Sequence, residues 1–270
     1  MSSSNESWKA SLHSFFDQRG RALPSKPSLE DVCFVSGRDS RLWSAPVLYS
    51  DLVKSILTSI ESHASSTVVE LGCAAGFLAY GVAPAVKRYF GFDIAAGALA
   101  AAQRLALPNA EFRKADGRTL PLASASVDAA FCYDVITNFP EFGDFEPLIE
   151  EMLRVVRPGG IALIGSVPER AYQVAYEARV AAFAAELDTR YGPVGTGIPL
   201  RNVRFIDSVL VKLGLRSAPA APSISCYYFD RADFETCASR LGVAVRFADI
   251  HTLNPYRGFR FNAVFQRSLE

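Results

Sequence analysis

The run Thr67-Val-Val-Glu-Leu-Gly-Cys-Ala-Ala-Gly-Phe77 constrains this chain more than any other stretch. A short apolar segment ends in an acid and passes at once into small residues, the pattern of a buried strand, a tight turn and a helix start. Val68 and Val69 are β-branched and suit a strand covered on both faces. Gly72, Ala74 and Gly76 keep side chains away from backbone that must approach a ligand, and glycine accepts dihedrals closed to other residues. A helix starting near Phe77 offers unpaired N–H groups and the positive end of its dipole. Strand, turn and helix in that order build a nucleotide-type cleft at the carboxyl end of a sheet. Spacing narrows the ligand. A dinucleotide fingerprint reads G-x-G-x-x-G, and here the third small residue falls one position early. No lysine lies between Lys54 and Lys87, which excludes a P-loop. Glu70, just before the turn, would repel a pyrophosphate and suits an ammonium or sulfonium group.

Further acids follow in step. Arg88 to Asp93 reads as a second strand, its acid 23 residues after Glu70. Ile94 to Leu105 is an alanine-rich helix. Glu111 to Gly117 is a third strand ending at Asp116, and Val127 to Asp134 a fourth. Leu153 to Ile164 carries a helix end, an Arg157-Pro-Gly-Gly160 turn and a fifth strand. In that order these features resemble the class I S-adenosylmethionine-dependent methyltransferases, whose E-x-G-x-G-x-G motif is matched from Glu70 to Gly76 with Ala74 in the middle position. The resemblance covers about residues 67–166 and 227–270. It implies an α/β, Rossmann-like seven-stranded sheet, mostly parallel with an antiparallel last strand, and helices on both faces. It implies S-adenosylmethionine as cofactor and S-adenosylhomocysteine as product, in contact with Glu70, Gly72, Cys73, Ala74, Gly76, Asp93, Ile94, Asp116, Gly117 and Tyr133. Within that set, Asp93 would accept from the ribose hydroxyls, Asp116 from the adenine amine, and Glu70 would hold the donor's amino end. The motifs say almost nothing about the methyl acceptor.

Flanking segments complete the plan. Residues 1–66 read as a helical preface with helices over Trp8–Arg19 and Val47–His63, the second with Leu48, Leu52, Ile56 and Ile60 on one face. Between them, Arg38, Arg41, Trp43 and Tyr49 are candidates to face the cleft, unless Trp43 only anchors the preface. Residues 167–226 read as a helical insertion. Ser166-Val-Pro-Glu169 signals a helix start, and Tyr172, Tyr176, Val180, Phe183 and Leu187 form one stripe. A loop over Gly192–Pro199, a helix over Phe205–Leu213 and a linker over Ser217–Ser223 follow. A substrate lid, a dimer contact and plain core packing all fit the stripe. In residues 227–270, Asp230 to Asp233 caps a helix stopped by Gly242, and two strands meet at an Asn254-Pro255 turn.

Composition bounds the function. Half of the 270 residues are hydrophobic, enough for a substantial core, and no apolar run approaches a membrane span. The amino terminus lacks the layout of a signal peptide, and five scattered cysteines without a C-x-x-C pair point away from disulfides and metal. A cytoplasmic protein, with no membrane partner and no metal, is expected. Basic and acidic residues balance at 28 each, which disfavours a nucleic-acid partner. A sulfonium methyl is already activated, so the protein chiefly aligns an acceptor and excludes water. A base is needed only for an acceptor that must lose a proton. Asp134, His251 and Tyr133 are the catalytic candidates; His13 reads as structural and His63 as a solvated helix end. The expected reaction is methyl transfer to a small molecule, at a hydroxyl oxygen, by a monomer or homodimer. The alternatives are an S-adenosylmethionine-binding protein without turnover and a protein or nucleic-acid methyltransferase.

Overall fold

The computed structural model describes residues 3–192 and 226–269, with side chains from Trp8 onward. The expected helix over Phe205–Leu213, the linker over Ser217–Ser223 and nearly all of the Gly192–Pro199 loop lie outside those residues. The sheet comprises β1 (Thr67–Leu71), β2 (Arg88–Asp93), β3 (Ala110–Lys114), β4 (Val127–Tyr133), β5 (Val156–Pro168), β6 (Ala244–Asp249) and β7 (Arg260–Gln266). Its order is β3-β2-β1-β4-β5-β7-β6. β1 to β5 pair in parallel, and β7 runs antiparallel to both its neighbours. The strand order reverses direction at β1 and β4, and a ligand crevice is expected at that point, beyond their carboxyl ends.

The nine helices of the described residues follow from local signals. α1 (Ser3–Arg21), α2 (Leu29–Val35), α3 (Ser40–Trp43) and α4 (Pro46–Ser59) form the preface, with Ser28 and Asp31 making a capping box at α2. α5 (Ala79–Val82) follows the glycine turn, and α6 (Ala96–Gln103), α7 (Phe142–Val155), α8 (Gln173–Tyr191) and α9 (Arg231–Leu241) complete the set. Two expectations shift here. The helix after the turn starts at Ala79 rather than Phe77 and is a single turn long, because Pro84 cannot continue it. The Arg157-Pro-Gly-Gly160 turn is a bulge within β5, whose register jumps from Val156 opposite Val127 to Ile161 opposite Ala129.

Alternation along the strands splits the core in two. Val68, Phe131 and Val264 face α4, α5 and α6, while Val69, Leu71, Cys132 and Phe265 face α7 and α9. All five cysteines are free, four of them buried. Among the described residues no helix is long and apolar enough to cross a membrane.

Candidate active site

The turn after β1 is tied to the end of β2. The N–H groups of Gly72 and Cys73 both donate to the Phe92 carbonyl, at 2.7 and 3.1 Å. Gly72 has φ +74°, and a Cβ there would run into the Val135 side chain. Ala74 is left-handed at φ +44° although it carries a Cβ, a conformation costing an L-residue about 1–2 kcal/mol. Its N–H donates to Asp93 Oδ2 at 2.8 Å, and the Ala95 N–H donates to Oδ1 at 2.8 Å. Burial pushes the Asp93 carboxyl up, and these N–H donors counter the shift. Two hydrogen bonds leave acceptor capacity on a group with about four lone-pair sites.

A cavity opens above this turn. Gly72 and Ala74 form its floor, Asp93 and Ile94 one side, and Asp116 and Gly117 the far end. Tyr133 and Asp134 close it beside the end of β4, and Trp8, Leu12 and Phe16 of α1 cover it. α1 holds that place because it lies directly on α6. Gly20 and Gly97 meet with no room for a Cβ on either, and Asp17 Oδ1 accepts from the Gly97 N–H at 2.6 Å. The cavity suits S-adenosylmethionine: a carboxylate with spare acceptor sites for the ribose, apolar walls, and the buried Tyr133 hydroxyl, which finds no hydrogen-bond partner among the described residues.

Several expected residues are elsewhere. Glu70 does not reach the cavity; it is buried and accepts from the Tyr89 hydroxyl. Alternation turns it to the Val68 face of β1, away from the turn. Burial raises its pKa to about 8, against the opposing pull of Arg38. Cys73 contributes only backbone to the turn, its side chain being packed under β2 near Gly91. Gly76 is needed for the turn itself at φ +82°, where a Cβ would meet Leu105 Cδ1 at 2.8 Å. His251 faces neither cavity. The Asn254 amide donates to its Nε2 at 3.0 Å and its Nδ1 meets Asp51 of α4 at 3.1 Å. Asn254 Oδ1 accepts from the Tyr256 N–H, which fixes the amide and hence the ring tautomer. His251 fastens the β6–β7 connection to the preface, and burial lowers its pKa.

Asp134 is the centre of a cationic clamp. Arg38 Nη2 donates to Oδ2 and Arg260 Nη1 to Oδ1, both at 2.6 Å. Burial raises the carboxyl's pKa, and the two guanidiniums outweigh it and hold the group below the usual range. Such a carboxylate is a poor proton acceptor. Tyr133 is no better, since burial pushes its hydroxyl well up.

Beyond Asp134 lies a second cavity of about 1750 Å³, the open mouth included. Leu42 and Trp43 of the preface, Tyr176, Val180 and Leu187 of α8, and Tyr228, Tyr256 and Arg260 line it. It shares Phe16, Ser36, Arg38, Asp134 and Asn138 with the first cavity. Of the preface candidates, Arg38 and Trp43 face the cavities. Tyr49 is buried, donating to the Phe77 carbonyl, and Arg41 links Asp39 to Asp188 of α8. The α8 stripe divides: Tyr176, Val180 and Leu187 line the cavity, Phe183 packs on Tyr256, and Tyr172 is exposed. Sequence reasoning missed Arg260 and the roof from α1. Arg260 had one visible signal, a lone cation opening an otherwise uncharged strand.

Known proteins resemble parts of this chain. Residues 69–164 match a family described as a methyltransferase domain. An uncharacterized methyltransferase of Mycobacterium avium is 36% identical over 105 residues, 38% of this chain and 40% of that relative. A trans-aconitate 2-methyltransferase of an Azoarcus species is 32% identical over 143 residues, 51% of this chain and 50% of the relative. The chain thus spans about half or less of the length of these curated relatives. A crystal structure of a SAM-dependent methyltransferase from Methanosarcina mazei superposes with TM-score 0.53 at 16% identity, over 83% of this chain and 98% of that one.

Proposed function

We propose that residues 69–164, which match a methyltransferase domain family, work as a class I S-adenosylmethionine-dependent methyltransferase, and that the protein transfers the donor's methyl group to an oxygen of a small molecule seated in the second cavity. One observation carries this reading: the two cavities share the wall of Arg38, Asp134 and Asn138, so molecules in each would meet there. In the first cavity Asp93 would hold the ribose and Asp116 the adenine. Bound there, the donor supplies a methyl group already activated by its sulfonium. The protein's own work is alignment and exclusion of water. Tyr133 and the Gly72–Ala74 backbone shape the space at the shared wall. α1 covers the donor side, and α8 acts as a cover on the acceptor side.

A cavity walled by preface, sheet and α8 suits a small acceptor better than a polymer, and balanced charge gives no pull on phosphate backbones. The test is to incubate the protein with methyl-labelled donor and a cell extract, then separate products by size. Label in the fraction below about 1 kDa is expected. Label confined to protein or nucleic acid, or no transfer at all, overturns the small-molecule reading.

A further inference from the structure

The wall between the cavities, with Arg260 beside it in the second cavity, holds two cations and one anion. Arg38 and Arg260 share the single carboxylate of Asp134, leaving a net positive charge where the side chains are largely buried. A donor sulfonium arriving beside them adds a second. An acceptor that brings a negative charge relieves both, because repulsion between nearby like charges grows as water is excluded.

Donor accounting points the same way. A guanidinium carries five N–H groups. Arg260 spends Nε and Nη2 on the Tyr176 hydroxyl, at 3.1 and 2.5 Å, and Nη1 on Asp134 and Ser166. One Nη2 hydrogen is left over. Arg38 makes a single side-chain hydrogen bond among the described residues, to Asp134; its guanidinium also lies over the Phe77 ring at 4.9 Å. It borders both cavities with most of its N–H groups unspent. Arginine forks of this kind match carboxylates.

Among the described residues, the carboxylates lining the second cavity are all engaged. Asp134 accepts from both arginines, which favour its ionised form and make it a poor base. His251 is turned away with both ring nitrogens engaged. Glu177 sits at the exposed rim, bonded to the Tyr228 hydroxyl and Gln173. A neutral hydroxyl would find each of these groups already engaged, whereas an acceptor that is already ionised needs no base.

We propose that the acceptor is a small carboxylic acid bound as its anion, gripped by Arg38 at the shared wall and Arg260 beside it in the second cavity, and methylated on a carboxylate oxygen. This rests on the methyl-transfer reading above. The carboxylate lone pair attacks the methyl carbon as the carbon–sulfur bond breaks, and that bond's electron pair stays on sulfur. A methyl ester and a neutral thioether result, and no proton moves. The ester has lost the charge the arginines held, so the same clamp that draws the acid in releases the product.

The test is calorimetric, on protein saturated with S-adenosylhomocysteine. The probes are small mono-, di- and tricarboxylates, trans-aconitate among them, each beside its amide. At least one carboxylate should bind ten-fold or more tighter than its amide. Arg260→Gln should weaken that binding about ten-fold, with Arg260→Lys intermediate. Asp134→Asn, which removes the anion that competes for both guanidiniums, should tighten it several-fold. Binding of S-adenosylhomocysteine to each variant reports folding and separates the two readings: if wild type fails to bind it, the methyl-transfer reading fails first. If it binds but no carboxylate is preferred over its amide, or an amine or alcohol probe binds instead, the carboxylate proposal is overturned.

Discussion

Replacing Asp134 with Asn isolates the charge of the clamp. Asp134 is left-handed at φ +61°, a conformation Asn also tolerates, and Asn has the same shape. The anion is lost, and one acceptor oxygen becomes an NH2 group that faces a guanidinium. In wild type the side chains of Arg38, Arg260 and Asp134 are 12%, 11% and 26% exposed, with both contacts at 2.6 Å. Removing one member of a buried ion pair costs about 3–5 kcal/mol. The partial exposure of Asp134 brings this to roughly 2–4 kcal/mol, since water screens the bared guanidiniums. For a chain of this size that is a fall in Tm of about 5–15 °C. The pH dependence follows from the same contacts. The folded carboxyl titrates below its unfolded value of about 3.9. Its contribution is therefore present above that value and lost as pH falls through the folded pKa. Thermal melts of wild type and Asp134→Asn from pH 3 to pH 8 should show a wide gap at neutral pH that narrows below about pH 4. A carboxylate that binds the clamp should recover part of the loss by mass action. A gap under about 2 °C at neutral pH, or one that stays constant into acid, refutes the argument.

What could be read from the sequence was what is local. The β1 turn, the acid ending β2 and the β6–β7 hairpin follow from short-range pattern, because the positive φ at Gly72 and the turn before β7 are properties of consecutive residues, while Asp116 lies two residues past the end of β3. Side-chain direction at the site was less accessible. Glu70 and Gly72 lie two apart, yet one faces Tyr89 and the other the cavity, since the chain leaves the strand between them. His251 sits near the correct end of the sheet, but its ring is buried against Asp51 on α4, 200 residues away, and away from both cavities. Arg38 and Arg260 meet only through Asp134, at separations of 96 and 126 residues. No periodicity announces contacts of that range, and the docking of α1 on α6 through Gly20 and Gly97 is equally silent.

Ala74→Gly relieves a left-handed alanine, so stability should rise by up to about 1 kcal/mol once the entropy of the unfolded glycine is deducted. Urea denaturation checks it, and a loss of 1 kcal/mol or more contradicts the strain. His251→Ala should lower stability by about 2–4 kcal/mol through two lost hydrogen bonds and a cavity, while S-adenosylhomocysteine affinity stays within about two-fold. Because burial lowers the histidine's folded pKa, wild-type stability should decline as pH drops below about 6.5 and the variant should lack that decline. Full stability with abolished methyl transfer would instead make His251 catalytic.

The central claim is that the cavity over the Gly72 turn is the donor site, and titration of the folded protein with S-adenosylhomocysteine tests it most directly. Wild type should bind one equivalent. Asp93→Ala should bind about ten- to several-hundred-fold more weakly, the loss of one or two charge-assisted hydrogen bonds of ~1.5–3 kcal/mol each. Glu70→Gln, altering a carboxyl that faces Tyr89 rather than the cavity, should stay within about two-fold of wild type. Unchanged affinity in a folded Asp93→Ala protein, or binding of NAD in place of S-adenosylhomocysteine, would contradict the account.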